Sequence, residues 1–312
     1  MFTQPLLLDT QPHSHARLQS AWQASNADRQ ELLEEAAVMA QFESPFVVQL
    51  VGVITVGNPV YVVLEFMEYG ALKSYLEKKE VSMEQKLLWA GDCCEGLAHV
   101  HSLGFIHRDV AARNVLISSE KRCKISDFGL AREMEEDDTC ECMCVGVWRD
   151  WGVRGKTAMT PHTHTHNHAH ATHTHTLADY KSRGGQLPVR WTAIEALEDR
   201  KFSDMTDVWS CGVLLFEIWT RADTPYKEWS NQKVWVEVAA GYRLPRPDGC
   251  PADIYDRMRA CWREAQPERP TAGALAAFFR AYAGRDTGDG DDGDEAGTAA
   301  KEYLVVRERV CL

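Results

Sequence analysis

The chain has no glycine before Gly52 and no lysine before Lys73. A glycine-rich loop that cradles phosphates, and a lysine that reaches them, therefore cannot be built from its opening stretch. Long apolar runs are missing as well. The longest, near Phe46 to Val56, is too short to span a bilayer, and the N-terminus lacks a basic-then-apolar leader pattern. Positive charge is in deficit: 34 Lys and Arg stand against 46 Asp and Glu, a formal net charge of −12, which argues against a nucleic-acid partner. No disulfide framework is visible. The ten cysteines, one adjacent pair and the others scattered, show the usage of a reducing, cytoplasmic compartment.

What is present centres on His107 to Gly129, HRDVAARNVLISSEKRCKISDFG. Two polar clusters, His107-Arg108-Asp109 with Asn114 and Asp127-Phe128-Gly129, flank two β-like pieces, Val115 to Ser118 and Cys123 to Ser126. A strand, a turn and a strand bring Asp109, Asn114 and Asp127 to one mouth. Carboxylate and amide oxygens gathered there suit Mg²⁺ and a triphosphate. The rival reading is a solvated set of turn residues, and three polar side chains at this spacing in an apolar frame speak against it.

Around this stretch the pattern changes along the chain. Residues 1–24 mix Pro, Gln and His without a sustained period and read as a poorly ordered N-terminal segment. From Ser25 or Asn26, Leu32, Leu33, Ala36, Met39 and Ala40 share a helical face. Two β-rich runs follow, VVQLVGVIT and VYVVLEF, joined at Gly57-Asn58-Pro59. After Gly70 the periods are helical: ALKSYLEKK, Ser82 to Gly104, Asp204 to Thr220, Ser230 to Ala240, Ala252 to Arg263 and Thr271 to Tyr282. The tail from residue 283 is Gly/Asp-rich, reads as disordered, and ends in the apolar patch EYLVV.

The clusters carry a resemblance to protein kinases, whose signatures include H-R-D-x-x-x-x-N and D-F-G. It covers roughly Asp28 to Tyr282 apart from one insertion, and it extends to Glu65-Phe66-Met67 after Leu64, LPVRW at Leu187 to Trp191, Ala193-Ile194-Glu195, TDVWS at Thr206 to Ser210, and Arg269. The resemblance implies a two-lobed α+β fold over 25–282, with a truncated small β-lobe (25–68) and a large, mainly helical lobe (69–282). It implies ATP and Mg²⁺ as cofactors. Asp109 would take or orient the proton of the substrate hydroxyl, with Arg113 and Asn114 beside it, and Asn114 and Asp127 would hold Mg²⁺. Leu64, Glu65, Met67 and Leu116 would line the ATP site, and Glu35 resembles the acid of the family's αC helix. Glu195 and Arg269 would form an ion pair under the substrate platform, and Asp207 would anchor the catalytic loop. His107 and Phe128 would be structural, stacking with Met39 and Leu50 as a spine. Cys93 and Cys94 read as core thiols.

Within that family the chain is more similar to tyrosine kinases, with receptor types favoured. Ala111-Ala112-Arg113 stands where serine/threonine kinases carry a lysine two residues after the catalytic Asp, and Pro188 suits a long planar acceptor. Protein tyrosines are then the substrates. Tyr180 lies where activation-loop phosphorylation occurs, near Arg108 and Arg132, and Tyr303 is a candidate docking tyrosine for a phosphotyrosine-binding adaptor. A receptor-type parent would place the chain on the inner side of a single-pass plasma-membrane protein.

Three departures qualify this reading. The glycine loop and the strand lysine that Glu35 would hold are absent, so three small-lobe strands are expected to be missing and the chain to be inactive or nearly so. Second, residues 140–177 are an insertion rich in Cys and His-Thr repeats, inside what is otherwise a normal activation loop. It reads as a disordered loop from retained intron or a faulty gene model, since a (CA)n repeat spells His-Thr. The alternative, a soft-metal site at Cys140, Cys142, Cys144 and the histidines, lacks the two-residue gaps of structural zinc sites. Third, Ile194 and Cys211 replace the family's Pro and aromatic residue. The rival functions are a truncated, pseudokinase-like binding module and a serine/threonine kinase.

Overall fold

In the computed structural model, the described residues are 16–20, 26–56, 59–134 and 187–283. The expected insertion (140–177), Tyr180, Tyr303, the tail beyond 283, and Gly57 and Asn58 lie outside them.

The small lobe is built on β3 (Tyr61–Glu65), which pairs antiparallel with β2 (Leu50–Ile54) on one edge. Its other edge pairs antiparallel with β1 (Ala16–Ser20), giving the order β1-β3-β2. This corrects the expectation that residues 1–24 contribute no strand. A central strand has two rows of main-chain donors and acceptors, and the row that β2 leaves open recruits the short ARLQS segment. Its five residues are too few to show a period in sequence. Beside the sheet runs α1 (Asn26–Met39), whose Ala36 and Met39 are buried, with Phe42 just beyond them.

The large lobe opens with β4 (Gly70–Ala71) and α2 (Leu72–Lys78), then α3 (Met83–Ser102). Ser82 caps α3 by accepting the Gln85 N–H at 3.2 Å, satisfying one of the donors a helix start leaves open. Gly104 ends this segment at φ +78°, a left-handed turn that glycine adopts without strain. β5 (Phe105–Ile106) pairs with β8 (Arg132–Glu133), and β6 (Val115–Ile117) lies between β4 and β7 (Cys123–Ile125).

Beyond the platform come α4 (Ile194–Glu198), α5 (Asp204–Trp219), α6 (Asn231–Ala239), α7 (Ala252–Cys261) and α8 (Ala272–Ala283). Every residue of α5 from Met205 to Trp219 is buried. A helix buried on every side belongs at the centre of a lobe, and α5 is that centre. A capping box between Ser203 and Thr206 fixes its start. Only glycine fits at 212, where a Cβ would lie 2.7 Å from Cys261 Cβ and 2.6 Å from the Trp262 ring nitrogen.

The lobes meet through β7. Val48 N–H donates to Ile125 O at 2.8 Å, and Ile125 N–H donates to Phe46 O at 2.8 Å. Ile125 therefore ties the segment after α1 to the strand that leads into Asp127.

Candidate active site

The stretch from His107 to Asp127 folds back on itself. Asn114 ends a short 3₁₀ turn (Ala112–Asn114), and Ser126 N–H donates to Asn114 O at 2.8 Å. That bond sets Asp127, one residue on, beside Asn114. Both Arg108 and Asp127 have left-handed backbones, at φ 67° and 68°. Non-glycine residues in that region are strained and mark positions the surroundings enforce.

Asp109 is held from two sides. The Asn114 amide donates to Asp109 Oδ2 at 2.7 Å and to Asp109 O at 2.8 Å, and the Arg113 guanidinium binds Oδ1. The Asn114 amide nitrogen makes both donations, which leaves its amide oxygen to bind a cation. Together with the Asp127 carboxylate it supplies hard oxygen donors of the kind Mg²⁺ takes, so the residues present fit the metal. The Glu35 carboxylate reaches the same place: a Cβ on Gly129 would lie 3.6 Å from Asp127 Oδ1 and 3.8 Å from Glu35 Oε2.

The loop is pinned from below by α5. Asp207, fully buried, accepts His107 N–H at 2.7 Å, Arg108 N–H at 2.8 Å and His101 Nε2–H at 3.0 Å. The His107 ring is buried too. Its Nδ1 accepts Asp109 N–H at 3.3 Å, which leaves Nε2 to donate to Ser126 O at 3.1 Å. The Phe128 ring packs at a tilt, its centroid 4.9 Å from that of His107 and 4.6 Å from that of Phe42. Met39 belongs to the same core, with Leu50 packed against it.

On the platform side, Arg269 makes a bidentate pair with Glu195 at 2.5 and 3.0 Å and also donates to Arg263 O and Met205 O. Arg190 donates to the carbonyls of Pro225, Tyr226 and Trp229, fixing the stretch after Pro188. On the small-lobe side, the Glu65 carboxylate accepts Lys124 Nζ at 2.7 and 2.8 Å and Gln49 N–H at 2.8 Å. The side chain of Glu65 is thus committed to bracing, and its main-chain N–H donates to Gln49 O at 3.0 Å. Met67, buried after it, accepts Gly70 N–H at 3.1 Å; Leu64 and Leu116 are half-buried against the core.

Comparison with known proteins decides the family. The model described as protein tyrosine and serine/threonine kinase matches residues 17–147 and 169–279. The chain belongs to this kinase family. The match starts inside β1, and its break falls within the stretch read as inserted. The chain is 37% identical over 244 residues to ephrin type-A receptor 7 of Gallus gallus, covering 78% of this chain and 21% of that protein. It is 36% identical to ephrin type-A receptor 5 of Homo sapiens over 78% of this chain and 20% of the relative, and 34% identical to ephrin type-A receptor 3 of Danio rerio over 80% and 22%. The chain spans about a fifth of the length of these relatives. The kinase architecture is a sparse β-sheet lobe over a helix-rich lobe, α+β overall.

Several contacts of this kinase site have no motif behind them. Lys124 on Glu65, His101 on Asp207, and the stacking of Arg113 over the Trp191 ring at 4.5 Å join residues far apart in sequence. Glu217 of α5 is the least expected, a buried carboxylate in an apolar helix. Among the described residues no group of three or more His, Cys, Asp or Glu side chains forms a further metal cluster, and the Cys/His-rich insertion lies outside them.

Proposed function

We propose that this kinase domain transfers the ATP γ-phosphate to protein tyrosine, and that the 312-residue polypeptide does so slowly. Asp109 carries the reading: it is gripped by Asn114 and Arg113, and Arg113 lies on Trp191 of the platform. In this arrangement Asp109 receives the tyrosyl proton, while Arg113 holds that carboxylate turned to the acceptor. Bound Mg²⁺, held by Asn114 and Asp127, would neutralise charge on the phosphates. Glu65 and Met67 offer main-chain polar groups to adenine, between Leu64 and Leu116. Asp207, His107, Phe128 and the Glu195–Arg269 pair keep these groups in register, which is most of what phosphoryl transfer asks of a protein. The slow rate follows from β1: it flanks β3 as a lysine-bearing strand would, but ARLQS holds no lysine. Losing one preorganised charge contact typically costs about 10²- to 10³-fold.

The relatives are named as receptors. We extend that to this chain as the inner, cytoplasmic part of a single-pass receptor; among the described residues no helix is long and apolar enough to cross a membrane. Tyr180 is the proposed activating phosphorylation site, and Tyr303 a docking site for phosphotyrosine-binding adaptors. The missing lysine favours a second reading, a partner-binding module without chemistry.

A transfer assay with labelled ATP, Mg²⁺ and paired tyrosine and serine peptides tests the proposal. Slow label on tyrosine alone, lost in Asp109→Asn, is the expected outcome. Label on serine, or label that survives Asp109→Asn, would overturn it.

A further inference from the structure

Glu217 has one oxygen doing two jobs. Its Oε2 accepts the Ala112 main-chain N–H at 2.9 Å and the Trp191 indole N–H at 3.0 Å. Ala112 lies midway between Asp109 and Asn114 in the catalytic loop, and Trp191 closes the platform segment LPVRW. The upper side of the same indole carries the Arg113 guanidinium, and Arg113 binds Asp109. A continuous path thus runs from the floor of α5 to the proton-accepting carboxylate: Glu217, Trp191, Arg113, Asp109. Glu217 is 1% exposed, and a carboxylate is a costly residue to place in a helix whose other side chains are mostly apolar. Apolar residues would pack there with less penalty, so the two donors it serves are the reason for its presence. Burial pushes its carboxyl above the usual range, opposed by the Ala112 and Trp191 hydrogen bonds and by the charges of Arg113 and Lys73.

We propose that Glu217 is a positioning residue for the acceptor: it holds the catalytic loop and the platform at one separation, and so places Arg113 and Asp109 against the incoming tyrosine ring. This rests on the tyrosine-transfer reading above. It makes a selective claim. Loss of the strut disturbs the acceptor side, while the Mg-nucleotide side, built from Asn114, Asp127 and the Glu65–Met67 main chain, keeps its geometry.

The full chain carrying Glu217→Leu, Glu217→Gln or Trp191→Phe tests it, with three readouts: affinity for a tyrosine peptide, the Mg-ATP-induced thermal shift, and hydrogen exchange of Ala112 N–H and the Trp191 indole N–H. Glu217→Leu should weaken peptide binding about tenfold and speed both exchanges about tenfold, each the equivalent of roughly one lost hydrogen bond. The Mg-ATP shift should not change. Glu217→Gln should stay close to wild type, because its amide oxygen can accept both donors. Trp191→Phe, which keeps the ring but not the N–H, should follow Glu217→Leu in peptide binding and so covers the case in which the leucine variant fails to fold. Equal peptide binding across wild type, Glu217→Leu and Trp191→Phe would overturn this inference alone. Parallel loss of peptide and Mg-ATP binding would overturn it in favour of a general packing role. No peptide binding by the wild type would overturn the acceptor reading and the inference with it.

Discussion

Gly96→Ala is a small change with a large expected effect. A Cβ at that position would lie 2.8 Å from Ile125 Cγ1 and closer still to Phe46 O. Real Cβ atoms do not sit that close to a carbonyl, so Phe46 must retreat. Its oxygen is the acceptor for Ile125 N–H, and Ile125 is two residues before Asp127. Overpacking of this kind costs about 1–3 kcal/mol, and the stretched hydrogen bond about 1 kcal/mol more. Against this, alanine gains about 1 kcal/mol of helix propensity over glycine within α3. The net expectation is destabilisation by roughly 1–3 kcal/mol. Gly91, on the same helix, is the matched control: a Cβ there meets only Phe279 Cβ, at an ordinary 3.5 Å. Gly91→Ala should be stabilising by about 0.5–1 kcal/mol. Urea unfolding followed by tryptophan fluorescence reads both, with the midpoint moving in opposite directions and the slope constant. Faster exchange at the Ile125 amide in Gly96→Ala alone would localise the damage. Should Gly96→Ala prove as stable as Gly91→Ala, the close seam between α3 and the Phe46 segment is wrong.

Other expectations follow from single contacts. Arg269→Lys loses the bidentate grip on Glu195 and leaves carbonyl partners unserved, so it should cost about 3 kcal/mol, or roughly 6–12 °C in Tm, by calorimetry; a loss within 1 °C would contradict the buried pair. For Glu217, a carboxyl raised by burial binds its proton more tightly folded than unfolded. Its stabilising contribution is therefore present below the unfolded carboxylate range and declines as pH rises through the folded value. Glu217→Gln should show a flatter fall in stability as pH rises above the ordinary carboxylate range than wild type in paired urea melts, and identical slopes would argue against the shift. Burial holds the Cys123 and Cys261 thiols well above their usual range, and the Cys211 contact does the same for Cys94. Native-state thiol titration should leave these three unmodified while unfolding in denaturant exposes them; rapid modification of the native protein would refute their burial.

Much of the large lobe was legible because its signals are local. Ser82 announced the start of α3 and caps it, and the Asp204 to Thr220 run became α5. The polar clusters at His107 to Gly129 come together because a short hairpin, β6 to β7, brings Ser126 back to Asn114, as the spacing of the β-like pieces implied. What stayed hidden depends on distant partners. β1 is a strand only because β3 presents an open edge 41 or more residues later in the chain, and ARLQS alone shows no such preference. Glu65 was read as lining the ATP site, and nothing near it in sequence pointed to Lys124. Glu217 sits in an apolar helix where sequence gives no reason for an acid; its two donors come from residues 105 and 26 positions away.

The most direct test of the account is the thermal shift produced by Mg-ATP on the full chain and on Asp127→Asn. With Asn114 and Asp127 in their proposed role as the metal half of the site, the wild type should bind weakly: at a tenfold excess over Kd, stabilisation of about 1.4 kcal/mol raises Tm by roughly 3–6 °C. Asp127→Asn, and wild type given ATP without Mg²⁺, should show little or none of that shift. An equal shift in both proteins, or none in the wild type at saturating Mg-ATP, would contradict the claim that Asp109, Asn114 and Asp127 form the working half of a phosphoryl-transfer site.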